Sequence, residues 1–178
     1  MGLRIIKRCL WKAIAPKASI RLHVPDKITV HHQGGEEGYP NIHQIPCFDG
    51  NATIRMLQKH DIYAKGLMDI SVHFIISPNG VIYEGRNMNR TGAHTKSNHD
   101  GNIGIKFIGN FNIEKPTENQ LNSFHELMMF INKQYPLIKF PKALYSHKEF
   151  NFTSCPGKYL HDIIMKIKYG GIPLEIKK

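Results

Sequence analysis

The chain has 178 residues, of which 41% are hydrophobic and 15 are glycine, and its formal net charge is +10. This length allows one full hydrophobic core and excludes two ordinary domains, so we expect one domain over residues 1–178 with its core at about 5–168. No stretch reaches the roughly 18 consecutive apolar residues of a membrane-spanning helix, and the basic N-terminal segment lacks the apolar run of a secretory signal. We expect a chain made in the cytoplasm; a secreted mature chain is the alternative.

The positive charge favours acidic partners, among them nucleic acid, anionic lipid and the phosphate polymers and carboxylates of bacterial walls. Charge alone does not choose among these classes. The basic residues are scattered, apart from a modest C-terminal cluster of Lys166, Lys168, Lys177 and Lys178. Because no arm of like charges is present, we expect an ordinary basic surface and no nucleic-acid partner.

The first predicted elements are a strand, a loop and a helix. Residues 27–32 are a β-branched run that predicts a buried strand. Residues 33–50 are rich in Gly, Pro, Asn and Glu, which predicts a long surface loop of the kind that borders binding grooves. Residues 52–60 place Ile54 and Leu57 on one helical face, so a short amphipathic helix follows.

A hairpin and a further strand are predicted in the middle of the chain. Residues 70–77 and 81–84 are apolar runs joined by Pro78-Asn79-Gly80, and an Asn-Gly pair between such runs predicts two antiparallel strands. In residues 102–109, Ile103, Ile105 and Phe107 alternate with Gly104, Lys106 and Ile108. This pattern predicts a further strand of the same sheet. Period-two alternation places Lys106 on the face opposite the branched residues.

The last third of the chain predicts two helices around a short strand. Thr117 to Gln120 form a capping box, and apolar residues follow at helical spacing, so a helix is predicted over 117–135. Residues 143–146 predict a strand, and 157–168 predict a closing helix. Helices interleaved with strands predict a single-domain α/β fold with a central mixed β-sheet flanked by helices.

Three residues of this pattern are good zinc ligands. His31 lies near the end of a predicted strand, and His147 and Cys155 flank a loop. Two imidazoles and a thiolate leave the fourth tetrahedral position of zinc for water, as in catalytic sites. Spacing alone is weak support, because the chain has eleven histidines and a lone buried histidine is more often a core residue.

Seven blocks in the same order and at similar spacing carry a resemblance to a known family. They are Ile6-Lys7-Arg8 with Trp11, Ile28 to His32, Asp69 to Ile76, Asn79 to Arg86, Thr91 to His94, Asn102 to Ile105 with Phe107 to Phe111, and Ser146-His147 with Ser154 to Gly157. These blocks resemble peptidoglycan-recognition proteins and phage lysozyme-type N-acetylmuramoyl-L-alanine amidases of type 2.

The resemblance implies a function and a set of site residues. His31, His147 and Cys155 fall on the zinc ligands of the family, which makes Cys155 a ligand and not a nucleophile. Further positions are implied for substrate: His94 and Arg86 fall near the muropeptide groove, and Thr153 falls where members support the reacting carbonyl. The implied activity is zinc-dependent hydrolysis of the lactyl-L-alanine amide of bacterial peptidoglycan. We expect a monomer.

The chain departs from the family at two positions. Val72 occupies the place of a tyrosine that orients the water or the carbonyl in active members, and valine can neither donate nor accept a hydrogen bond. Lys106 occupies the place where the wall-recycling branch has a glutamate. We hypothesise that Lys106 donates to the developing oxyanion; a lysine that extends into solvent is the alternative. Strand alternation turns His73 and His32 away from the metal.

These departures leave a second function open. A muropeptide-recognition module that does not cut is the alternative to a zinc amidase; the presence of Cys155 favours catalysis and Val72 favours recognition. Animal members of the family usually have a disulfide shortly after the first strand, where this chain has only Cys47, with Cys9 as a possible partner. We expect a protein that does not depend on disulfides.

Overall fold

Parallel pairing dominates one six-stranded mixed sheet in the computed structural model, which describes residues 3–34 and 50–170. The strands of these ranges are β1 (Ile5–Ile6), β2 (Lys27–His32), β3 (Phe74–Ile76), β4 (Ile82–Glu84), β5 (Asn102–Phe107) and β6 (Leu144–Ser146). Their order is β1-β4-β3-β5-β2-β6, and only the β3–β4 pair of the predicted hairpin is antiparallel. The carboxyl ends of β2, β5 and β6 therefore meet at one edge of the sheet.

Three α-helices cover the sheet in the described residues: α1 (Gly50–Lys59), α2 (Glu118–Gln134) and α3 (Lys158–Gly170). The predicted capping box of α2 is confirmed, because the Thr117 side chain accepts from the Gln120 backbone N–H and the Gln120 side chain accepts from the Thr117 N–H. α1 continues into a π-helical turn at His60–Ala64. No helix of the described residues is long and apolar enough to cross a membrane.

Each face of the sheet has its own apolar cluster. On one face, β-sheet residues such as Val30 and Ile105 pack with Phe124 of α2 and Leu160 of α3. On the other face, a second cluster is formed by Trp11, Ile54, Leu57, Ile70, Val72, Ile75, Tyr83 and Ile108. Helices on both faces of a mixed sheet confirm the predicted α/β fold.

The strand predicted over 70–77 is shorter in the structure, where β3 begins at Phe74. Successive N–H groups of Gly85 and Arg86 donate to the carbonyls of His73 and Val72. An antiparallel ladder pairs alternate residues instead, so this pattern ends the β3–β4 ladder. Residues 70–73 lie outside the strand, although the His73 N–H still donates to the Gly104 carbonyl of β5. Most of the predicted loop 33–50, including Cys47, lies outside the described residues.

Candidate metal centre

The three predicted zinc ligands come together at the carboxyl ends of β2 and β6. His31 is the fifth residue of β2, and His147 directly follows β6 in a short 3-10 turn. Because β2 and β6 are parallel neighbours with Val30 opposite Ser146, the next residue of each strand is brought side by side. Cys155 reaches the same place from the loop before α3. One donor atom from each of the three residues lies within 4.8 Å of the others.

The donor set fits a zinc ion. Two imidazoles and one thiol are ligands that zinc prefers, and three protein ligands leave one position open for water or substrate. His31 Nδ1 lies 3.7 Å from Cys155 Sγ, and the backbone N–H of His32 donates to the same sulfur at 3.3 Å. A donor aimed at the sulfur favours the thiolate that metal binding requires.

Burial keeps the His31 imidazole neutral. Its pKa is lowered well below the ordinary value, first by burial, then by the neighbouring His94 and His147 and by the charge of Lys106. His31 is only 4% exposed. A metal binds the unprotonated nitrogen of a neutral ring, so the site is prepared for an ion at neutral pH.

Two polar residues of the loop before α3 support the ligands. The His147 Nε2–H donates to Asn151 Oδ1 at 3.1 Å, which leaves Nδ1 as the unprotonated nitrogen of the neutral ring. Thr153 is half-buried, and its hydroxyl oxygen accepts from the Cys155 backbone N–H at 3.1 Å. Sequence reasoning missed Asn151, although its position four residues after His147 was a signal.

Lys106 lies next to His31 on the neighbouring strand. The two residues are Cα partners in the parallel pair of β2 and β5, and such partners direct their side chains to the same face of a sheet. The charge of Lys106 also acts on the pKa of His31. The register therefore places a cation on the face of the sheet that holds His31, a predicted metal ligand.

His94 directly contacts His31, one of the predicted metal ligands. Its Nδ1 lies 3.0 Å from Nε2 of His31, and the two rings meet edge to face. The ring lies over Gly104, where an added Cβ would collide with it. Glycine is thus required beneath His94 for the close approach.

Arg86 lies in the loop after β4 and is 5% exposed. Its guanidinium donates to three backbone carbonyls, those of Ile70, Thr91 and Asp69, at 2.5, 2.7 and 3.2 Å. These bonds tie the segment before β3 to the loop after β4. Direct contact of Arg86 with substrate stays a prediction, and the observed bonds give Arg86 a structural role in holding these two segments together.

Val72 and His73 make no hydrogen bond to the predicted ligands. Val72 is fully buried in the second apolar cluster. His73 accepts from the Gly104 N–H and donates to the Arg90 carbonyl, so both ring nitrogens are satisfied by the backbone. Strand alternation was the wrong reason for excluding His73, because the segment is not a strand; its backbone hydrogen bonds are what hold it away from the ligands.

His32 is turned from the ligand face, and its Nδ1 accepts from the Phe111 N–H at 3.3 Å. This ring therefore packs against the loop after β5, while the His32 backbone supports the Cys155 sulfur.

Cys9 is an exposed free cysteine in the described part of the chain.

Comparison with known proteins assigns the family. The model of the N-acetylmuramoyl-L-alanine amidase family matches residues 21–158, and the chain belongs to this family. Peptidoglycan-recognition protein SD of Drosophila simulans is 31% identical over 165 residues, which cover 91% of this chain and 84% of that protein. The N-acetylmuramoyl-L-alanine amidase of Homo sapiens is 30% identical over 162 residues, covering 88% of this chain and 27% of the human protein.

A solved structure gives the same assignment. Peptidoglycan recognition protein-LE in complex with tracheal cytotoxin, a monomeric diaminopimelic acid-type peptidoglycan, superposes with a TM-score of 0.78 at 30% identity. The match covers 91% of this chain and 92% of that one. The relatives thus include both amidases and recognition proteins, and the predicted family is confirmed.

Proposed function

We propose that this chain is a zinc-dependent N-acetylmuramoyl-L-alanine amidase that hydrolyses the lactyl-L-alanine amide of bacterial peptidoglycan. The observation that carries the proposal is the convergence of His31, His147 and Cys155, whose donor atoms lie within 4.8 Å of one another. When bound there, zinc supplies an activated water and a Lewis acid for the scissile carbonyl. The thiol of Cys155 is then occupied as a ligand.

The residues around the ligands have distinct proposed roles. Thr153 holds the loop geometry at Cys155 through its bond to the Cys155 N–H, and its hydroxyl can still donate to the substrate carbonyl. Lys106, on the ligand face of β5, donates to the oxygen that gains negative charge during amide hydrolysis. In this role Lys106 stays protonated and acts as a hydrogen-bond donor, not as a base.

Recognition of muropeptides without cleavage is the second candidate function. The observation that favours it is the burial of Val72 in the apolar cluster, at the position where the resemblance leads us to expect a tyrosine near the reacting groups. A module of this kind would keep its metal for structure. Peptidoglycan is the partner under both proposals, and the protein acts as a monomer on the bacterial wall.

The deciding experiment measures release of free stem peptide from purified peptidoglycan. We expect release to stop with a chelator and to return when zinc is added. Cys155→Ala should abolish release, whereas Cys9→Ala, which removes an exposed cysteine, should leave it unchanged. Binding of muropeptide without any release by the wild-type chain would overturn the amidase proposal and support recognition.

A further inference from the structure

The contact between His31 and His94 determines more than packing, because hydrogen-bond direction in this pair sets which ring nitrogen is protonated. His31 Nε2 and His94 Nδ1 lie 3.0 Å apart. One of these nitrogens must donate and the other must accept. The other contacts of His94 decide which one donates.

The far side of His94 faces a group that can only accept. His94 Nε2 lies 3.2 Å from the backbone carbonyl of Asn102, so Nε2 carries the proton of the neutral ring. His94 Nδ1 is then an acceptor. Two unprotonated ring nitrogens 3.0 Å apart would repel, so His31 Nε2–H donates to this one lone pair. The Thr95 hydroxyl lies 2.9 Å from the same nitrogen and shares it.

The surroundings of His94 favour the neutral ring. An added Cβ at Gly92 or Gly104 would collide with the imidazole, so two glycines enclose it closely. The ring also meets His73 and His99 edge to face. Burial, followed by His73, lowers the pKa of His94 well below its ordinary value, in agreement with this geometry.

We propose that His94 is a positioning residue that holds His31 in the tautomer with its proton on Nε2, so that Nδ1 is the zinc-binding nitrogen. The unprotonated Nδ1 is the atom that lies 3.7 Å from Cys155 Sγ. A relay of two hydrogen bonds thus runs from the Asn102 carbonyl through His94 to His31. Partners that fix the tautomer of a metal-binding histidine also orient its ring and raise its basicity. The proposal rests on the zinc site of the proposed function.

This role differs from contact with substrate, which the family resemblance implies for His94. A substrate contact would change the binding or turnover of muropeptide and leave zinc affinity unaltered in its absence. A tautomer-setting role changes the free protein. Measurements on the free protein, without substrate, can therefore distinguish these two roles of His94.

The first test uses metal-free protein and reads the ¹⁵N chemical shifts of the His31 ring by NMR. We expect Nε2–H and an unprotonated Nδ1 in the wild type. His94→Gln keeps an acceptor for His31 and a donor for the Asn102 carbonyl, so this tautomer should persist. His94→Leu removes both and should give a mixture. A wild-type His31 with its proton on Nδ1, or an unchanged tautomer in His94→Leu, would overturn the proposal.

The second test measures zinc affinity by competition with a chromophoric chelator. We expect His94→Leu to bind zinc about 10–100-fold more weakly and His94→Gln to recover most of the loss. His99→Leu is the matched control, since His99 contacts His94 only through its ring; it should bind as the wild type does. Thermal unfolding of all variants checks that they fold.

The outcomes separate the two proposals. Weak zinc binding by the wild type with the expected Nε2–H tautomer would count against the zinc amidase and leave the role of His94 in place. Strong zinc binding by both the wild type and His94→Leu would remove the role of His94 and leave the amidase. Equal weakening by His94→Leu and His94→Gln would show packing alone and overturn the inference.

Discussion

The metal centre and the segment 70–73 both contact His94, through His31 and His73, yet they use their side chains in different ways. In the metal centre, the donor atoms of His31, His147 and Cys155 converge. In the segment, Val72 is buried in the core and His73 bonds only to backbone groups. The chain therefore has three groups that could hold an ion and lacks a polar group at Val72. Metal binding and hydrolysis can be tested separately.

The largest effect is expected for removal of a ligand from the metal centre. His147→Ala should lose bound zinc, from about one ion per chain to none, because two ligands no longer hold a tetrahedral ion. His125→Ala, on α2 away from the ligands, should keep its zinc. Metal content by atomic emission after dialysis checks this, and full zinc occupancy in His147→Ala would contradict the assigned ligand set.

The next largest effect is expected for substitution of Lys106. It should lower the rate of hydrolysis and leave the zinc content unchanged. Lys106→Ala should release stem peptide roughly 100-fold more slowly with zinc retained, as is typical for loss of one oxyanion donor. Lys106→Arg keeps the charge and should retain more of the rate. Equal rates for the wild type and Lys106→Ala would mean that Lys106 extends into solvent.

A pH effect of smaller size should come from His73 in the neighbouring segment. Burial lowers the pKa of His73 from 6.5 to about 3. Between these two values the unfolded chain binds a proton that the folded chain excludes. The contribution of the neutral His73 to the free energy of unfolding is therefore fully present above pH 6.5, and it falls as the pH drops from 6.5 towards 3.

We expect a loss on the order of a few kcal/mol over this range, with His31 and His94 acting in the same direction. Urea unfolding of metal-free protein at several pH values measures it. His73→Gln should flatten the slope. A stability that stays constant from pH 7 to 4 would contradict the burial of a neutral His73.

The smallest effect on activity is expected at Val72. Because Val72 is fully buried among apolar side chains, Val72→Tyr should cost about 1–3 kcal/mol of stability by overpacking and should release stem peptide no faster than Val72→Phe. These two variants differ only by the hydroxyl. A clear gain of Val72→Tyr over Val72→Phe would show that this position borders the reacting groups, and the contrast between the two regions would be lost.

Local patterns in the sequence were enough for most of the fold. The capping box at Thr117 and the hairpin at Asn79-Gly80 are confirmed, since both depend on residues within a few positions of one another. The strand predicted over 27–32 has the same bounds in the structure. The three proposed ligands were predicted through resemblance, because spacing alone does not choose among eleven histidines. The structure brings their donor atoms within 4.8 Å of one another, and metal binding stays a prediction.

Tertiary structure alone decided how the residues around the ligands are used. Strand register places Lys106 beside His31, and packing over Gly104 brings His94 to His31 from 63 positions away in the chain. The same packing turns the Arg86 guanidinium inward to backbone carbonyls. Sequence determines which donors and acceptors a chain carries and their local periodicity. Which of them meet depends on register and close packing between distant segments, and no local pattern encodes these.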